Sequence, residues 1–544
     1  MPFQKKGVKF SLLRSYGRTL FGDQMGLGKT IQAIASAYVY VSLDVRTFSH
    51  TQINSYAFKD EFPLLVVVPS SLKYNWAEEI QKWLQEFVHV NDVNIVNGRT
   101  DVERLHEAPI SIVSYGCLVG GNSSSSPVAQ RLMQIKPKVV ICDESHTIKN
   151  RKAKRTKILM PIIHASRHAF LISGTPALAR PDELFTQLHS LYPQKFNSHN
   201  KFAKRYCNAH QGRFGWDFSG SSNLEELHSI LHENIMIRRL KSEVLTQLPS
   251  KRRQRVVLDL RENQVGERFL KMKRHRKKMM TALRRNNVPQ VALEEMHETQ
   301  RRMIMEAYPM AAKAKVNLVK KYVKDLMDTV RSSEYSSDNK IIIFAHHLIL
   351  LDAVENSVVR SSTKARKINY IRIDGSTPSK ERFRLVEDFQ TKKKTRVAIL
   401  SMKAAGVGLN LTRASTVIFT ELTWTPGIIS QCEDRAHRLG QKNSVNVIFL
   451  VAKNSVDDIL WPMINSKVST LGKMLDAKKD RFKARVVKQK RENKKIGNET
   501  SQENDSDEEL SQQSYPRNDL RSIFFSPSSN VKKTSSLWTC SVCT

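Results

Sequence analysis

A glycine-rich stretch near the start of the chain has the residue types needed to hold a nucleotide triphosphate. The stretch runs Asp23, Gln24, Met25, Gly26, Leu27, Gly28, Lys29 and Thr30. Its glycines let the backbone turn tightly and direct N–H groups at phosphate oxygens, its lysine can neutralise the β- and γ-phosphates, and its threonine can ligate Mg²⁺. The run that follows has helical composition, so bound phosphates would lie at a helix N-terminus, which favours anions. The stretch predicts a nucleotide and Mg²⁺ site, although Asp stands at position 23 where the commonest pattern has Gly.

An amide side chain precedes this loop by about twenty residues. It belongs to Gln4, and it carries both a hydrogen-bond donor and an acceptor. Because an adenine edge presents the complementary pair, Gln4 is a candidate for binding the base.

Two adjacent carboxylates, Asp143 and Glu144, follow an apolar run over 138–142. Such a run predicts a buried parallel strand, and open α/β sheets bind ligands at the carboxyl ends of their strands. Asp143 can hold Mg²⁺ through water, and Glu144 can orient or deprotonate an attacking water, as phosphoryl transfer requires. An acidic pair after a strand is an ordinary surface turn in many proteins. The phosphate loop in the same α/β unit favours the catalytic interpretation.

The second half of the chain carries cations that can complete such a site. Segment 431–441 contains Gln431, Arg435 and Arg438, and the spacing of the two arginines predicts that they share one helix face. Two guanidiniums on one face can be ordinary salt-bridge partners. Since the nucleotide site in the first half lacks a cationic finger, we expect both arginines to reach across a cleft to the γ-phosphate.

Rigid elements must position these residues, and the hydrophobic pattern supplies two α/β units. Over 1–235, apolar runs such as 64–68 alternate with helical sequence, which predicts a doubly wound parallel sheet. Residues 236–315 turn to long Met- and Arg-rich helical sequence and are predicted to be a helical linker. A second doubly wound unit is predicted over 316–470. A tail with disorder composition is expected over 471–537.

The chain is strongly basic, with 88 Lys and Arg against 52 Asp and Glu and a formal net charge of +36 over 544 residues. This excess is beyond what solubility requires and favours a polyanionic partner such as nucleic acid. Because no base-reading module is visible, we expect phosphate contacts that ignore base sequence. No run of about 18 apolar residues occurs, so no membrane-spanning segment is expected. The six Cys are mostly isolated, which indicates a reducing compartment.

A short apolar peptide interrupts the polar tail at 517–525. Its apolar residues are Leu520, Ile523, Phe524 and Phe525. Their spacing lets a single helical turn present an anchor to a partner groove, while a chance cluster in a linker is the alternative.

The last residues, 538–544, contain Cys540 and Cys543 in a C-x₂-C pattern. Two thiolates are half of a tetrahedral zinc site. Zinc is therefore expected only if the chain continues beyond residue 544.

An ordered set of motifs resembles the Swi/Snf-type branch of the superfamily-two helicase-like ATPases. The motifs are, in order, Gln4, DQMGLGKT, PSSL after VVV, DESH, SGTP, FAHH, DGS, SMKAAGVGLNLT and QCEDRAHRLGQ, and they span about residues 1 to 470. The resemblance implies two RecA-like lobes, each a doubly wound parallel sheet, that clamp ATP and Mg²⁺ between them and step along duplex DNA.

Two small-residue turns in these motifs are predicted to couple hydrolysis to the grip on DNA. The first includes Ser173, Gly174 and Thr175, and the second includes Gly406 and Gly408. Small side chains permit the close backbone approach that such coupling requires.

Within the branch, the compact second lobe, IRRLKSEVLTQLP at 237–249 and the final WTCSVCT are similar to annealing helicases that carry a Ran-binding-protein-type zinc finger. The similarity implies a nuclear motor that rewinds single-stranded bubbles and remodels branched DNA at stalled replication forks. It also implies recruitment by the sliding clamp and by polyubiquitin.

Several positions depart from the pattern. Gln24 stands where the branch usually has Glu, and Arg517 replaces the Gln of the usual clamp-binding peptide. The zinc finger stops after two ligands and the nuclease domain is absent, so neither polyubiquitin binding nor DNA cleavage is expected of this chain. Two alternatives stay open: a nucleosome-remodelling ATPase, and a non-catalytic scaffold that binds DNA and the clamp.

Overall fold

The computed structural model describes residues 1–46, 63–98, 100–120, 126–212, 215–260, 274–275, 290–331, 339–361, 368–405, 409–478 and 483–488. These residues form two α/β lobes. Each lobe is built on a seven-stranded sheet.

Lobe 1 contains the first ten α-helices and nine strands of the described chain. Its strands are Arg18–Phe21 (β1), Leu64–Val68 (β2), Val93–Ile95 (β3), Ile110–Ser114 (β4), Val139–Asp143 (β5), His168–Ile172 (β6), His210–Gly212 (β7), Gly215–Asp217 (β8) and Met236–Ile237 (β9). Its helices are Pro2–Leu13 (α1), Lys29–Arg46 (α2), Lys73–Leu84 (α3), Thr100–Glu103 (α4), Pro127–Ile135 (α5), Lys154–Ala165 (α6), Phe185–Leu191 (α7), His199–Tyr206 (α8), Leu224–Asn234 (α9) and Lys241–Val244 (α10).

Lobe 2 contains the elements that follow. Its strands are Lys251–Asp259 (β10), Lys340–Ala345 (β11), Asn369–Ile373 (β12), Thr395–Ser401 (β13), Ala414–Phe419 (β14), Val445–Lys453 (β15) and Arg485–Lys488 (β16). Its helices are Gln290–Arg331 (α11), Leu348–Ser361 (α12), Ser379–Thr391 (α13), Met402–Ala405 (α14), Pro426–Glu433 (α15) and Asp457–Asp476 (α16).

Both large sheets are parallel throughout. The strand order is β3-β4-β2-β5-β6-β1-β9 in lobe 1 and β12-β13-β11-β14-β15-β10-β16 in lobe 2. The chain crosses from β1 to β2 on the far side of β5 and β6, which creates a topological switch point. The predicted fold of two doubly wound parallel lobes is confirmed.

The sheets are covered on both faces, which explains their apolar strands. In β2, Leu65 and Val67 pack into one lobe 1 core and Leu64 and Val66 into the other. Because successive strand residues point to opposite faces, a strand buried on both faces must be apolar at every position.

The order of strands brings the predicted site residues to one edge of lobe 1. The phosphate loop follows β1, the turn 173–176 follows β6, and Asp143 ends β5. Since β6 lies between β5 and β1 in the sheet, the turn 173–176 lies between the phosphate loop and the acid pair.

The segment predicted as a helical linker over 236–315 differs from that expectation. It contributes β9 to the first sheet and β10 to the second, and α11 runs without a break through position 315. In β10, Val256 and Leu258 are buried, whereas Arg255 and Val257 are half-buried and Asp259 is exposed. This alternation is typical of a strand. The sequence does not indicate which sheet the strand joins.

The ordered chain also continues past the predicted boundary at 470. Helix α16 extends to Asp476, and β16 pairs with β10. Helix α16 begins against the lobe 2 core and ends with Met474 and Leu475 in a core of lobe 1. This helix therefore ties the two lobes together.

None of the helices in the described part of the chain is both long and apolar enough to cross a membrane.

Candidate nucleotide site between the lobes

The phosphate loop has the backbone that its glycines allow. Gly26 and Gly28 have φ values of +85° and +72°, in the left-handed region that glycine adopts without strain. A Cβ on Gly28 would collide with the Gln4 amide, whose Nε2 donates to Leu27 O at 3.3 Å. Gln4 therefore lies directly against the loop.

Lys29 is the first residue of α2, and its ammonium turns back over the loop. Nζ donates to Asp23 O at 2.9 Å and Gln24 O at 3.4 Å. Burial lowers the pKa of Lys29, while the negative charges of Glu144, Asp23 and Asp143 oppose that shift. The ammonium thus lies among carboxylates that favour its charged form. Thr30 follows in the first turn of α2.

The Asp23 side chain points away from the loop and into lobe 1. It is fully buried and accepts from Arg239 Nε at 2.8 Å and Gln32 Nε2 at 3.0 Å. This pairing accounts for an acidic residue where the commonest phosphate loop has Gly. Asp23 holds the base of the loop in place.

The Gln24 side chain also turns to the protein. Its Oε1 accepts the backbone N–H of Lys241 at 2.8 Å, so the amide supplies the one acceptor that the contact needs. Met25 packs against Gly174 and fills the space that a side chain at position 174 would need.

Asp143 and Glu144 stand at the end of β5, and each has a partner the sequence did not reveal. Trp76 Nε1 and the Glu144 N–H each donate to one oxygen of Asp143 at 2.8 Å. His146 Nδ1 lies 3.3 Å from Glu144 Oε2 and 3.1 Å from Ser173 Oγ. His146 lies two residues after Glu144 in the DESH motif, so the sequence could have indicated this contact. Trp76 lies on α3, far from Asp143 in sequence, and nothing in the sequence indicated that it would contact Asp143.

The two carboxylates titrate differently. Burial, followed by repulsion from Glu144, raises the pKa of Asp143 to about 6. Burial also disfavours charge on Glu144, but His146, Lys29 and Arg435 outweigh it and lower the pKa of Glu144. Of these two carboxylates, Glu144 is therefore the one that stays ionised to lower pH.

The turn after β6 joins the acid pair to lobe 2. Ser173 contacts His146, and Thr175 Oγ1 accepts from Gln431 Nε2 of lobe 2 at 2.9 Å. Gly174 leaves no room for a side chain, because a Cβ there would lie 3.3 Å from Lys29 Nζ and collide with Met25. The other predicted turn residues, Gly406 and Gly408, lie outside the described residues.

Arg435 and Arg438 reach the site, but not from a helix face as predicted. Helix α15 ends at Glu433, and both arginines lie in the turns that follow. Glu433, the last residue of α15, is buried against lobe 2, where Lys251 Nζ and Arg253 Nε each donate to it at 2.7 Å. Burial alone would raise the pKa of Glu433, but these two cations lower it to about 2.

The arginines contact the site differently. Arg435 is 2% exposed, and Glu144 is the main charge opposing the fall in its pKa that burial causes. Arg438 packs on the phosphate loop: a Cβ on Gly26 would lie 2.9 Å from Arg438 Cβ. Among the described residues, Arg438 Nε has no hydrogen-bond partner, so a buried donor is available beside the loop.

The donor set suits Mg²⁺ bound together with phosphate. The described residues contain no group of three or more His, Cys, Asp or Glu that could hold a metal by themselves. A buried carboxylate with a raised pKa gains most from a nearby cation, and hard carboxylate and hydroxyl oxygens are what Mg²⁺ prefers.

The tail residues Leu520, Ile523, Phe524, Phe525, Cys540 and Cys543 lie outside the described residues.

Two family models match the chain. The SNF2-related domain matches residues 3–312, and the helicase conserved C-terminal domain matches residues 314–440. The chain therefore belongs to the SNF2-related family, which confirms the expected enzyme class of a DNA-dependent, helicase-like ATPase. ATP is accordingly its nucleotide, with Mg²⁺ as the usual metal of these domains.

Among known proteins, the chain is similar to DNA annealing helicase and endonuclease ZRANB3 of Mus musculus, with 44% identity over 488 residues, 89% of this chain and 41% of that protein. It is also 40% identical over 473 residues to the SWI/SNF-related matrix-associated actin-dependent regulator of chromatin subfamily A-like protein 1 of Xenopus tropicalis, covering 87% of this chain and 44% of that protein. The chain spans about two fifths of the length of these curated relatives. The Sulfolobus solfataricus SWI2/SNF2 ATPase core in complex with dsDNA aligns with 87% of this chain and 96% of that chain, at 21% identity and a TM-score of 0.37.

Proposed function

We propose that this chain is an ATP-driven DNA motor that reanneals single-stranded bubbles and remodels branched DNA at stalled replication forks in the nucleus. One observation carries the proposal: Arg438 of lobe 2 packs against Gly26 in the phosphate loop of lobe 1. A nucleotide on that loop would be enclosed by both lobes, so its hydrolysis would change how the lobes contact each other. The name of the mouse relative, an annealing helicase, supports this choice among motor functions.

In this proposal lobe 1 supplies the phosphate loop and the acid pair. The loop N–H groups and Lys29 neutralise the β- and γ-phosphates, and Gln4 reads the adenine edge. Thr30 and Asp143 hold Mg²⁺, which supplies positive charge to the phosphates when bound. Glu144 orients the attacking water and takes its proton, and its lowered pKa keeps it ionised and so able to accept one.

Lobe 2 supplies the cations. Arg435 and Arg438 stabilise charge that develops on the γ-phosphate, and burial strengthens that interaction because little water screens it. Gln431 connects their segment to Thr175, so movement of lobe 2 reaches the turn beside the acid pair. The turns that include Ser173, Gly406 and Gly408 carry the coupling to DNA.

Lys29→Ala tests the motor function. We expect the unmodified protein to hydrolyse ATP slowly alone and much faster with duplex or forked DNA, and the variant to lose both hydrolysis and bubble reannealing. ATP hydrolysis by the unmodified protein that ignores DNA would exclude a motor. Reannealing that survives in the variant would instead identify a non-catalytic scaffold.

The choice of substrate needs a separate comparison. Stimulation of hydrolysis by a fork, by plain duplex and by a nucleosome of equal DNA length should be greatest for the fork. Greater stimulation by the nucleosome than by its free DNA would favour chromatin remodelling.

The apolar peptide at 517–525 is proposed as an anchor for the sliding clamp. A synthetic peptide covering 514–530, titrated against the clamp, should bind more tightly than millimolar and lose affinity when Phe524 and Phe525 are both changed to Ala. Equal binding by the two peptides would make this segment a spacer.

The two thiols of Cys540 and Cys543 are proposed to bind zinc only with further ligands, and polyubiquitin binding is not proposed.

A further inference from the structure

Lys241 occupies a buried position where the two lobes meet. It is the first residue of α10, a short connection after β9, and is 5% exposed. Its backbone N–H donates to Gln24 Oε1 in the phosphate loop at 2.8 Å. Its ammonium crosses to lobe 2, where it lies 2.8 Å from Asp434 Oδ1 and donates to the carbonyl oxygen of His437 at 2.5 Å.

The acceptors of this ammonium belong to the segment that carries the arginines. Asp434 directly precedes Arg435, and His437 directly precedes Arg438. One ammonium therefore contacts the chain immediately before each arginine, while the same residue's main chain is bonded to the phosphate loop. Lys241 thus bridges the two segments that would enclose a nucleotide.

We propose that Lys241 is a positioning residue that sets Arg435 and Arg438 against the phosphate loop when the lobes close. The inference rests on the proposed role of the two arginines in ATP hydrolysis. It assigns Lys241 no contact with the nucleotide. Its effect is to make closure of the lobes and placement of the arginines a single event.

The physics of a buried ion pair explains why this contact can act as a reversible latch. The Lys241 side chain is 6% exposed and that of Asp434 12%, so both charges lose hydration on closure, and their attraction offsets that loss only when the geometry is good. The net free energy is therefore small, which permits reopening. Removal of Lys241 leaves Asp434 buried with only the more distant Lys251 Nζ, at 3.8 Å, and removal of Asp434 leaves the buried Lys241 ammonium without a carboxylate, so either change disfavours closure.

A nearby exposed pair supplies a matched control. Lys478 Nζ lies 3.0 Å from Glu243 Oε1, with side chains 53% and 45% exposed. This pair also joins α10 to the chain just after α16, but water screens it, so its contribution is small. A change at Lys478 tests whether any lysine at this junction has the proposed effect.

The experiment measures DNA-stimulated ATP hydrolysis for Lys241→Met, Asp434→Asn, the double variant and the control Lys478→Met. We expect kcat to fall about tenfold or more for each single variant at the first two positions, with KM for ATP changed less than about threefold, since a loss confined to turnover marks a contact made in the activated state. The double variant should fall no further than the worse single variant, because both changes remove one interaction. Lys478→Met should stay within about twofold of the unmodified protein.

A second pair of variants tests the loop end of the connection. Gln24→Glu keeps an oxygen acceptor for the Lys241 N–H and should lose less kcat than Gln24→Leu, which removes the acceptor. Equal rates for these two variants would overturn the link to the loop.

Other outcomes also decide the inference. Unchanged kcat in Lys241→Met, additive losses in the double variant, or a rise in KM without a fall in kcat would each overturn it. If Lys241→Met does not fold, Asp434→Asn carries the same test, because it keeps the shape of the side chain. Failure of the proposed function is recognised separately, since the unmodified protein would then show no DNA-stimulated hydrolysis.

Discussion

At the scale of the residue, Glu144 combines a strained backbone with a side chain surrounded by cationic groups. Its φ and ψ of 49° and 51° are left-handed, which costs a non-glycine residue about 1–2 kcal/mol. The conformation turns the carboxylate back towards His146, beside Lys29 and Arg435. Strain retained at such a position is consistent with a functional demand on the direction of the side chain.

Glu144→Gln should therefore separate nucleotide binding from turnover. The amide keeps the shape but cannot accept a proton, so we expect kcat to fall about 100-fold or more while ATP affinity changes little. Fluorescent nucleotide titration and steady-state hydrolysis measure the two quantities. A large loss of nucleotide affinity would mean that Glu144 supports the loop instead.

The raised pKa of Asp143 predicts a pH dependence. An acid whose folded-state pKa is about 6 is ionised at pH 7.5 and becomes protonated as the pH falls through that value, so Mg²⁺ must compete with a proton. DNA-stimulated hydrolysis should decline below about pH 6, and higher Mg²⁺ should move the midpoint to lower pH. Asp143→Asn supplies the control, because its low residual activity should lack this Mg²⁺-dependent midpoint.

At the scale of the element, the end of α16 links the lobes through polar contacts to lobe 1. His228 and His232 of α9 lie within hydrogen-bonding distance of the carbonyls of Met474 and Leu475, at 3.2 and 3.0 Å. Arg238 then pairs with Asp476 at 2.7 Å and donates to Gly22 O at 2.7 Å and Gly174 O at 3.2 Å. The end of α16 is thereby connected to the strand ends that carry the loop and the turn.

Met474→Ala should loosen this attachment. The side chain is fully buried in the lobe 1 core, so truncation leaves a cavity and should cost about 2–5 kcal/mol of local stability. Hydrogen exchange should then accelerate at the end of α16 and in α9. Met305→Ala, at a position 64% exposed, should leave exchange in both helices unchanged. Protection that survives Met474→Ala would show that the polar contacts alone hold the helix.

At the scale of the whole molecule, the formal charge of +36 predicts that the proposed binding to DNA depends strongly on salt. If about six phosphates are neutralised, affinity should fall about 10³-fold between about 50 and 200 mM salt, because bound counterions are released on association. Binding measured on several unrelated duplexes of one length should give the same constant at each salt concentration. A flat salt dependence, or a consensus sequence, would contradict phosphate-based binding.

The sequence by itself determines the local features of this protein, because they depend on residues that are close together in the chain. Tight turns at Gly26 and Gly28, buried strands such as β2, and an acid pair at the end of β5 each depend on residues adjacent in sequence. Backbone freedom, side-chain alternation and burial operate over a few residues, so spacing is enough to predict them.

Tertiary structure alone decided which distant residues complete the site. Asp23 is held by Arg239, Asp143 by Trp76, and Glu433, the last residue of the helix before the arginines, by Arg253 of β10. Hydrophobic periodicity likewise predicted neither β9 and β10 in separate sheets nor the end of α16 in the core of lobe 1. A pattern states that a face must be buried but not against what, and that choice is made by packing between segments hundreds of residues apart.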